Sequence, residues 1–497
     1  VSLDQDAEQE QIEQFEQLDG ADDDDPVSML TSGHTLLGLE RWVFAEQAAA
    51  EAAQRLAATP EAVESKQEAD TDTAAASLIA AAAEQGLTLV TGADAARLAE
   101  LARAFPAALL AAPSAAGLRT LAQAGADPVD ARVLAQDPGR IASADVLIVA
   151  DAQLAGVELA ATLLECARDG AHVVLAGDPV TLPSTAPGMV FRDLLEIDDP
   201  EFGGKLPRVE LKQRPTGPLS ALADAVRHGG LPPQELLLGA DGASKEVVIV
   251  PVREAAEAVH RAVQVAADSI PRAFGLSGYQ VQVVTVDGGP ASDAGAGVKA
   301  LNAALKARLN PGPGAYAGFD VGDRVIVITP LPEQGLFGGE TGTVRHAEAG
   351  ALTIGWDRPH DTRRMPTEPA EPAEQTEPTE PSEDAPADQA PETRLTGDVP
   401  AQAAAASSFI AATQVRALRH AWALTIAEAQ GGRWPAVVAV FDAQSAPRLS
   451  RAVMLGAIVS ATQHLTVIHG AGRALADAVE KMPHRPRRTR LTDALRQ

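Results

Sequence analysis

Residues 145–195 read DVLIVADAQLAGVELAATLLECARDGAHVVLAGDPVTLPSTAPGMVFRDLL, and this stretch decides the expected fold. It contains two short apolar runs, 146–149 and 173–175, that are rich in β-branched residues and too short for helices, so both are predicted to be buried strands. The Ala- and Leu-rich segment between them ends at Gly170 and predicts a helix. The stretch is therefore expected to form two parallel strands joined by a helix.

An acidic residue follows each of these predicted strands. Asp151 comes after the first strand and Asp178 after the second. In open parallel sheets the ligand crevice lies at the carboxyl ends of the strands, so polar groups at this edge are candidates for chemistry. These two carboxylates are the first candidates for a functional site.

Several fragments of the chain resemble one helicase family. The fragment GDPVTLPSTAPG, residues 177–188, resembles motif III of the RecD-like DNA helicases of superfamily 1, and LIVADAQL, residues 147–154, resembles their Walker B segment. The fragments GDRV and FGGETGTV, within residues 322–344, are similar to the small barrel of that family. The resemblance implies an α/β fold with two RecA-like P-loop-NTPase-type motor domains, an inserted SH3-like β-barrel, and ATP-dependent DNA helicase activity.

The resemblance and the composition divide the chain into consecutive segments. We expect an acidic disordered tail (1–35), a helical lead-in (36–72), the first RecA-like domain (73–208), the first part of the second RecA-like domain (209–315), the SH3-like barrel (316–360), an acidic Pro/Glu-rich linker (361–405) and the remainder of the second RecA-like domain (406–497).

The formal net charge of −28 argues against strong nucleic-acid binding by the chain as a whole. Much of the acidity is concentrated, because residues 1–25 hold 11 Asp or Glu and residues 366–393 hold 9, with no Lys or Arg in either stretch. No apolar run is long enough to cross a membrane and the N-terminus is acidic, so we expect a cytoplasmic protein without a membrane partner. The single cysteine, Cys166, excludes an internal disulfide and a Cys-based zinc cluster.

The strand predicted at 87–90 leads into Gly92, Ala93 and Asp94 at the place where the family has its phosphate loop. Such a loop needs several glycines to turn backbone N–H groups onto the phosphates, a Lys for the β and γ groups, and a Ser or Thr for Mg²⁺. Only Gly92 meets this pattern. Asp94 is predicted to cap the following helix, where its negative charge would repel a phosphate.

Other nucleotide-binding positions of the family are also altered. The Mg²⁺-binding Asp falls on Ala150, which has no ligand oxygen, and the catalytic Glu falls on Asp151, the remaining catalytic candidate. The arginine expected to stabilise the transferring phosphoryl group falls on Ser460. The positions that the resemblance assigns to nucleotide binding are Gly92, Asp178, Thr181, Arg214, Gln430 and Gly431. We expect no metal site and no cofactor, with ATP and Mg²⁺ required only if the chain is an active enzyme.

Single-stranded DNA is a candidate partner because AAPSAAGLRTLAQ, residues 111–123, resembles the family element that touches it. The resemblance implies phosphate contacts from Ser114 and Arg119, and ordinary surface roles for both residues are an equal alternative.

The pattern of retained turns and altered chemistry favours a pseudoenzyme. The leading hypothesis is a helicase homologue without ATP hydrolysis that acts as a DNA-associated or protein-binding module in DNA repair or recombination, beside an active helicase or nuclease. One alternative is an active DNA helicase with a divergent site that uses Asp151, Arg97 and Arg214. The other is a protein-interaction scaffold that does not bind DNA.

Overall fold

The computed structural model describes residues 39–61, 63–65, 73–197, 206–211, 216–232, 245–286, 295–348, 351–357, 407–482, 487 and 489–495. The described residues from Ala45 onward belong to one compact unit. Helix α1, Glu40–Ala58, confirms the helix that the sequence predicts in the lead-in. The acidic tail predicted at 1–35 and the linker predicted at 361–405 lie outside the described residues.

The region after α1 is a six-stranded parallel sheet with its helices. Its elements are α2 (Thr73–Glu84), β1 (Leu87–Thr91), α3 (Ala95–Ala104), β2 (Ala108–Ala112), α4 (Ala115–Gln123), β3 (Val129–Asp130), α5 (Ala131–Leu134), α6 (Pro138–Ala142), β4 (Val146–Val149), α7 (Val157–Cys166), β5 (His172–Gly177), α8 (Val190–Glu196) and β6 (Arg208–Glu210). The strand order is β3-β2-β4-β5-β1-β6. Strands β4 and β5 pair in parallel with α7 between them, which confirms the predicted strand–helix–strand unit.

Helices cover both faces of this sheet. Val146 and Ile148 on one face of β4 belong to the core that includes Leu98 and Leu118 from α3 and α4. Val149 on the other face lines a small apolar void together with side chains of α7 and α8. Burial on both faces is the physical reason for the nearly continuous apolar runs in the sequence.

The rest of the chain contains two further sheets. Its elements are α9 (Pro218–Arg227), β7 (Val247–Pro251), α10 (Ala255–Gln264), α11 (Ile270–Phe274), β8 (Val281–Thr285), α12 (Val298–Leu309), β9 (Arg324–Val327), β10 (Thr341–Glu348), β11 (Ala351–Trp356), β12 (Ser407–Ala411), β13 (Leu418–His420), β14 (Ala423–Thr425), β15 (Trp434–Phe441), α13 (Arg451–Val459), β16 (Ala461–His469), α14 (Ala474–Lys481) and α15 (Leu491–Ala494).

Strands β9 to β13 form a five-stranded antiparallel sheet in the order β12-β11-β10-β9-β13. Its own apolar core includes Trp356 and Ile354. Strands β12 and β13 lie beyond the linker predicted at 361–405 and pair with β11 and β9, and the boundary at residue 360 stays a prediction. The assignment of this sheet as an SH3-like barrel stays a prediction.

Strands β7, β8, β14, β15 and β16 form a second, all-parallel sheet in the order β14-β8-β15-β16-β7. Only two residues separate β13 in the antiparallel sheet from β14 in this one. The boundary of the first region at residue 208 stays a prediction. Strand β6 continues to Glu210 and pairs with β1, so residues 208–210 belong to the first sheet. No helix in the described part of the chain is long and apolar enough to cross a membrane.

Candidate functional site

The turn after β1 is the position at which the family would bind phosphate. Strand β1 ends at Thr91 and α3 begins at Ala95, so three residues separate strand from helix. The Asp94 carboxylate accepts hydrogen bonds from the Arg97 backbone N–H and from its guanidinium, both at 2.9 Å. The predicted helix cap at Asp94 is therefore confirmed. The helix N-terminus, which could otherwise bind an anion, already faces a carboxylate of its own chain.

Gly92 has a structural reason to be glycine in this turn. Its φ is +78°, in the left-handed region that favours glycine. A Cβ atom at this position would lie 2.1 Å from the carbonyl oxygen of Leu211, which follows strand β6. The residue thus permits the chain after β6 to cross closely over the end of β1.

Asp151 lies where the two parallel-sheet regions meet. Its backbone adopts a left-handed conformation, φ 49° and ψ 41°, which is uncommon for a residue other than glycine. A Cβ atom placed on Gly431 would lie 3.0 Å from Asp151 Oδ2, so the second region closely approaches this carboxylate. Burial raises the pKa of Asp151, while the positive charge of Arg433 opposes that rise. In the described residues no group of three or more His, Cys, Asp or Glu has a metal-binding arrangement.

Asp178 and Thr181 form the turn that follows β5. The Thr181 hydroxyl donates to the Asp178 carbonyl oxygen at 2.9 Å, and Asp178 Oδ1 accepts from the Val180 backbone N–H at 3.0 Å. Asp178 Oδ2 forms an ion pair of 2.7 Å with Arg227, the last residue of α9. Val180 and Leu182 in the same turn pack against the apolar core of the second parallel-sheet region. The turn therefore joins the two regions.

Ser114, a predicted nucleic-acid contact, caps helix α4. Its hydroxyl oxygen accepts from the Gly117 backbone N–H at 3.0 Å and also lies 3.4 Å from the carbonyl oxygen of Gln430. Thr120 on the same helix donates to the Gly431 carbonyl oxygen at 2.9 Å. Helix α4 is thus bonded to the loop after β14, and a phosphate contact from Ser114 stays a prediction.

Arg119, the second predicted nucleic-acid contact, has protein partners. Its guanidinium lies 3.0 Å from the Asp357 carboxylate and donates to the Thr341 hydroxyl at 3.0 Å. Thr341 is the first residue of β10, and Asp357 directly follows β11. The structure therefore places Arg119 in a contact between the first parallel-sheet region and the antiparallel sheet.

Gln430 and Gly431 form the turn that contacts α4. The Gln430 side-chain amide is buried and donates to the Ile426 carbonyl oxygen at 3.0 Å. Gly431 has a φ of +81°. Arg214, the remaining predicted nucleotide contact, lies outside the described residues.

A cleft of about 630 Å³ lies between α12 and strand β13. We call it the cationic cleft, and its charged or titratable lining residues are Lys299, Lys306, Arg419 and His420. Two of these lining residues form ion pairs. Lys306 is paired with Asp320 and Asp323, and Arg419 is paired with Glu428. Burial raises the pKa of Asp323, but hydrogen bonds from His420 and Lys306 outweigh it and lower the pKa to about 2.

Sequence reasoning missed both Arg227 and the cationic cleft. Arg227 is at the C-terminal end of its helix, where a basic residue is common for purely local reasons. Its partner Asp178 is 49 positions away in the sequence. The cleft combines α12 with a strand beyond residue 400, so local pattern carried no signal for it.

Comparisons with known proteins give one match to a protein family. Residues 56–203 match the AAA domain family. This match covers α2 to α8 and the first five strands of the first sheet. No curated protein matches the chain.

Several solved helicase structures are similar to the chain at low sequence identity. Pif1 from Bacteroides bound to ssDNA is 13% identical, with a TM-score of 0.43, over 81% of this chain and 93% of that protein. Pif1 from Candida albicans is 11% identical, with a TM-score of 0.41, over 82% and 96% of the two chains. A structure of two Pif1 helicases coordinating at forked dsDNA is 12% identical, with a TM-score of 0.41, over 82% and 94%.

Proposed function

We propose that the chain is a helicase-like protein of superfamily 1 that has lost ATP hydrolysis and serves as a DNA-associated or protein-binding module. The AAA domain match and the parallel α/β sheet support the helicase-like part of this proposal. A role in DNA repair or recombination, beside an active helicase or nuclease, belongs to the same proposal.

The turn between β1 and α3 is the observation that carries the loss of activity. Hydrolysis requires the triphosphate and its metal to be held in line, with charge stabilisation around the γ-phosphate. Here three residues join strand to helix, and Asp94 accepts the bonds at the helix N-terminus. A triphosphate that approached this helix N-terminus would be repelled by the Asp94 carboxylate. It would also have to replace that carboxylate as the acceptor of the helix N–H bonds.

The contacts between the two parallel-sheet regions also support this proposal. The Asp178–Arg227 ion pair and the apolar packing of Val180 and Leu182 occupy the junction between them. Across the same junction, Thr120 of helix α4 bonds to Gly431. These contacts favour a fixed arrangement over a cycle of opening and closing.

Isothermal titration calorimetry with ATP and Mg²⁺ tests the lost activity. We expect no saturable binding at micromolar nucleotide. A micromolar dissociation constant, or DNA-stimulated phosphate release that Asp151→Ala abolishes, would overturn the proposal in favour of an active helicase with a divergent site.

Single-stranded DNA is the partner we propose for the cationic cleft. Phosphates are recognised by Lys and Arg side chains that line a groove, and a volume of about 630 Å³ admits a nucleotide-sized group. The stems of Lys299 and Lys306, with Ala303 and Ala307, add apolar surface against which a base can pack. Arg119 is paired with Asp357, and in the cleft Lys306 and Arg419 are paired with carboxylates as well, so the proposal of DNA in the cleft rests on its volume and its lining.

Fluorescence anisotropy with a labelled oligonucleotide at about 50 and 200 mM salt tests this partner, since counterion release weakens DNA binding as salt rises. We expect Lys299→Gln to weaken binding about three- to tenfold at the lower salt. The matched control is Lys245→Gln, which removes an exposed lysine outside the cleft and should have no effect. Absence of binding at both salt concentrations would favour a protein-interaction scaffold that does not bind DNA.

A further inference from the structure

The C-terminal end of the chain crosses from the second parallel-sheet region to the first. Helix α14 packs against α13 in the second region, whereas α15 packs against α8 in the first. We call Arg487 together with residues 489–495 the strap. Leu491 and Leu495 of the strap are 0% and 3% exposed, so its end is anchored by apolar burial.

Arg487 holds the loop that joins the two regions. Its guanidinium donates to three backbone carbonyl oxygens, those of Ser184 at 2.6 Å, Ala186 at 2.8 Å and Gly188 at 3.2 Å. These carbonyls belong to the 178–188 loop, which also contains Asp178. A planar guanidinium with five fixed donors can hold several carbonyls of one loop in a single arrangement. Arg487 of the strap and Arg227 therefore both bind the same loop.

Further bonds connect the strap to helix α1. The Arg490 backbone N–H donates to Glu46 at 3.0 Å, and the Gln54 side chain donates to the Leu495 carbonyl oxygen at 3.2 Å. The strap thus lies across α1, α8 and the 178–188 loop.

A buried carboxyl lies under the strap. Asp193 of α8 is 7% exposed, and the Thr489 hydroxyl hydrogen-bonds to it. Within the described residues, its Oδ2 atom is buried without a hydrogen-bond partner. The charged groups that face it are Glu196 and Arg192 from its own helix and Glu46 from α1.

This setting favours the protonated form of Asp193. Burial is the largest cause, and the negative charges of Glu196 and Glu46 add to it, so the pKa rises to about 7. The Thr489 hydrogen bond and Arg192 oppose the rise. When Asp193 ionises, it becomes a buried anion beside two other carboxylates.

We propose that docking of the strap onto α8 and the 178–188 loop depends on the protonation state of Asp193. The strap is docked while Asp193 is protonated and loosens when Asp193 ionises. This regulation goes beyond the proposed function and does not depend on DNA binding. An undocked Asp193 gains contact with water and its pKa falls towards 3.8, so docking takes up a proton. Docking is strongest below the pKa that Asp193 has when the strap is undocked. It weakens as pH rises through the pKa of about 7 that Asp193 has when the strap is docked. Between pH 6 and 8.5 the docking equilibrium should fall about tenfold.

Hydrogen exchange followed by mass spectrometry tests this proposal in the full chain, with labelling times corrected for the intrinsic pH dependence. We expect peptides covering 489–495 and 178–188 to exchange faster at pH 8.5 than at pH 6, while β4 is unchanged. Asp193→Asn keeps the shape without the charge, so both peptides should stay protected at both pH values. Asp127→Asn, an exposed Asp in the same region, is the matched control and should behave as wild type. A pH effect that persists in Asp193→Asn, or none in wild type, would overturn the proposal.

A second variant separates the strap from the fold as a whole. Arg487→Gln removes the guanidinium and leaves Leu491 and Leu495 in place. It should raise exchange in 178–188 at both pH values and leave β1 and β5 protected. Unchanged exchange in 178–188 would show that the strap does not hold this loop and would also overturn the proposal.

Discussion

The Asp178 carboxylate lies 2.7 Å from the Arg227 guanidinium, so a turn of the first parallel sheet is paired with a helix of the second region. Asp178 follows the strand whose carboxyl end would face a nucleotide, and Arg227 ends helix α9. A residue that the resemblance assigns to nucleotide binding thus has a structural partner.

Arg227→Gln should loosen the junction with a small loss of stability. The side chains are 36% and 25% exposed, so water screens the pair and the expected loss is about 0.5–1 kcal/mol in the free energy of unfolding. Urea denaturation measures this loss, and exchange in 178–188 should rise. Arg272→Gln, an exposed arginine of α11, is the control. Equal exchange in the two variants would contradict a joining role for Arg227.

Gly92→Ala should be more destabilising than Gly125→Ala. Both glycines have φ near +80°, so alanine at either costs about 1–2 kcal/mol for its left-handed backbone. Only at Gly92 does the new Cβ meet a backbone atom, 2.1 Å away, whereas nothing lies within 4 Å at Gly125. The crowding should add about 1–3 kcal/mol, measured by thermal and urea unfolding. Equal losses would show that the chain after β6 does not approach Gly92.

Asp94→Ala should cost about 1 kcal/mol in unfolding free energy because α3 loses its N-cap. Asp94→Asn keeps a side-chain oxygen that accepts the Arg97 N–H, so its loss should be a few tenths of a kcal/mol. Urea unfolding of the two variants measures the difference. If both variants lose equal stability, the Arg97 ion pair and not the cap is the source of the effect.

Acid should weaken the contact between α12 and the antiparallel sheet through Asp323. Its pKa is lowered from 3.8 to about 2, so its stabilisation is present above 3.8 and is lost as pH falls towards 2. The loss is about 2 kcal/mol, read as the difference between wild type and Asp323→Asn in urea unfolding at pH 5, 4, 3 and 2. A constant difference across this range would show that Asp323 is not preferentially ionised in the folded protein.

The local sequence pattern was sufficient to predict the elements that bury a continuous apolar run. Strands β4 and β5, the helix between them and the cap at Asp94 all depend on residues within a few positions of one another. The extent of the antiparallel sheet was not predictable in the same way. Strand β12 pairs with β11 across a low-complexity stretch, and nothing in either strand alone specifies the other as its partner.

The sequence by itself determined the parallel strands, the glycine turns and the replacement of phosphate-binding side chains, because periodicity and local side-chain chemistry encode these features. Only the tertiary structure decided the partners of Asp178, Arg119 and Asp193. Each of these side chains meets a group remote in the sequence, and ion pairing and burial depend on distance in space. The raised pKa of Asp193 therefore follows chiefly from its burial in the folded protein, to which the charges of Glu196 and Glu46 add.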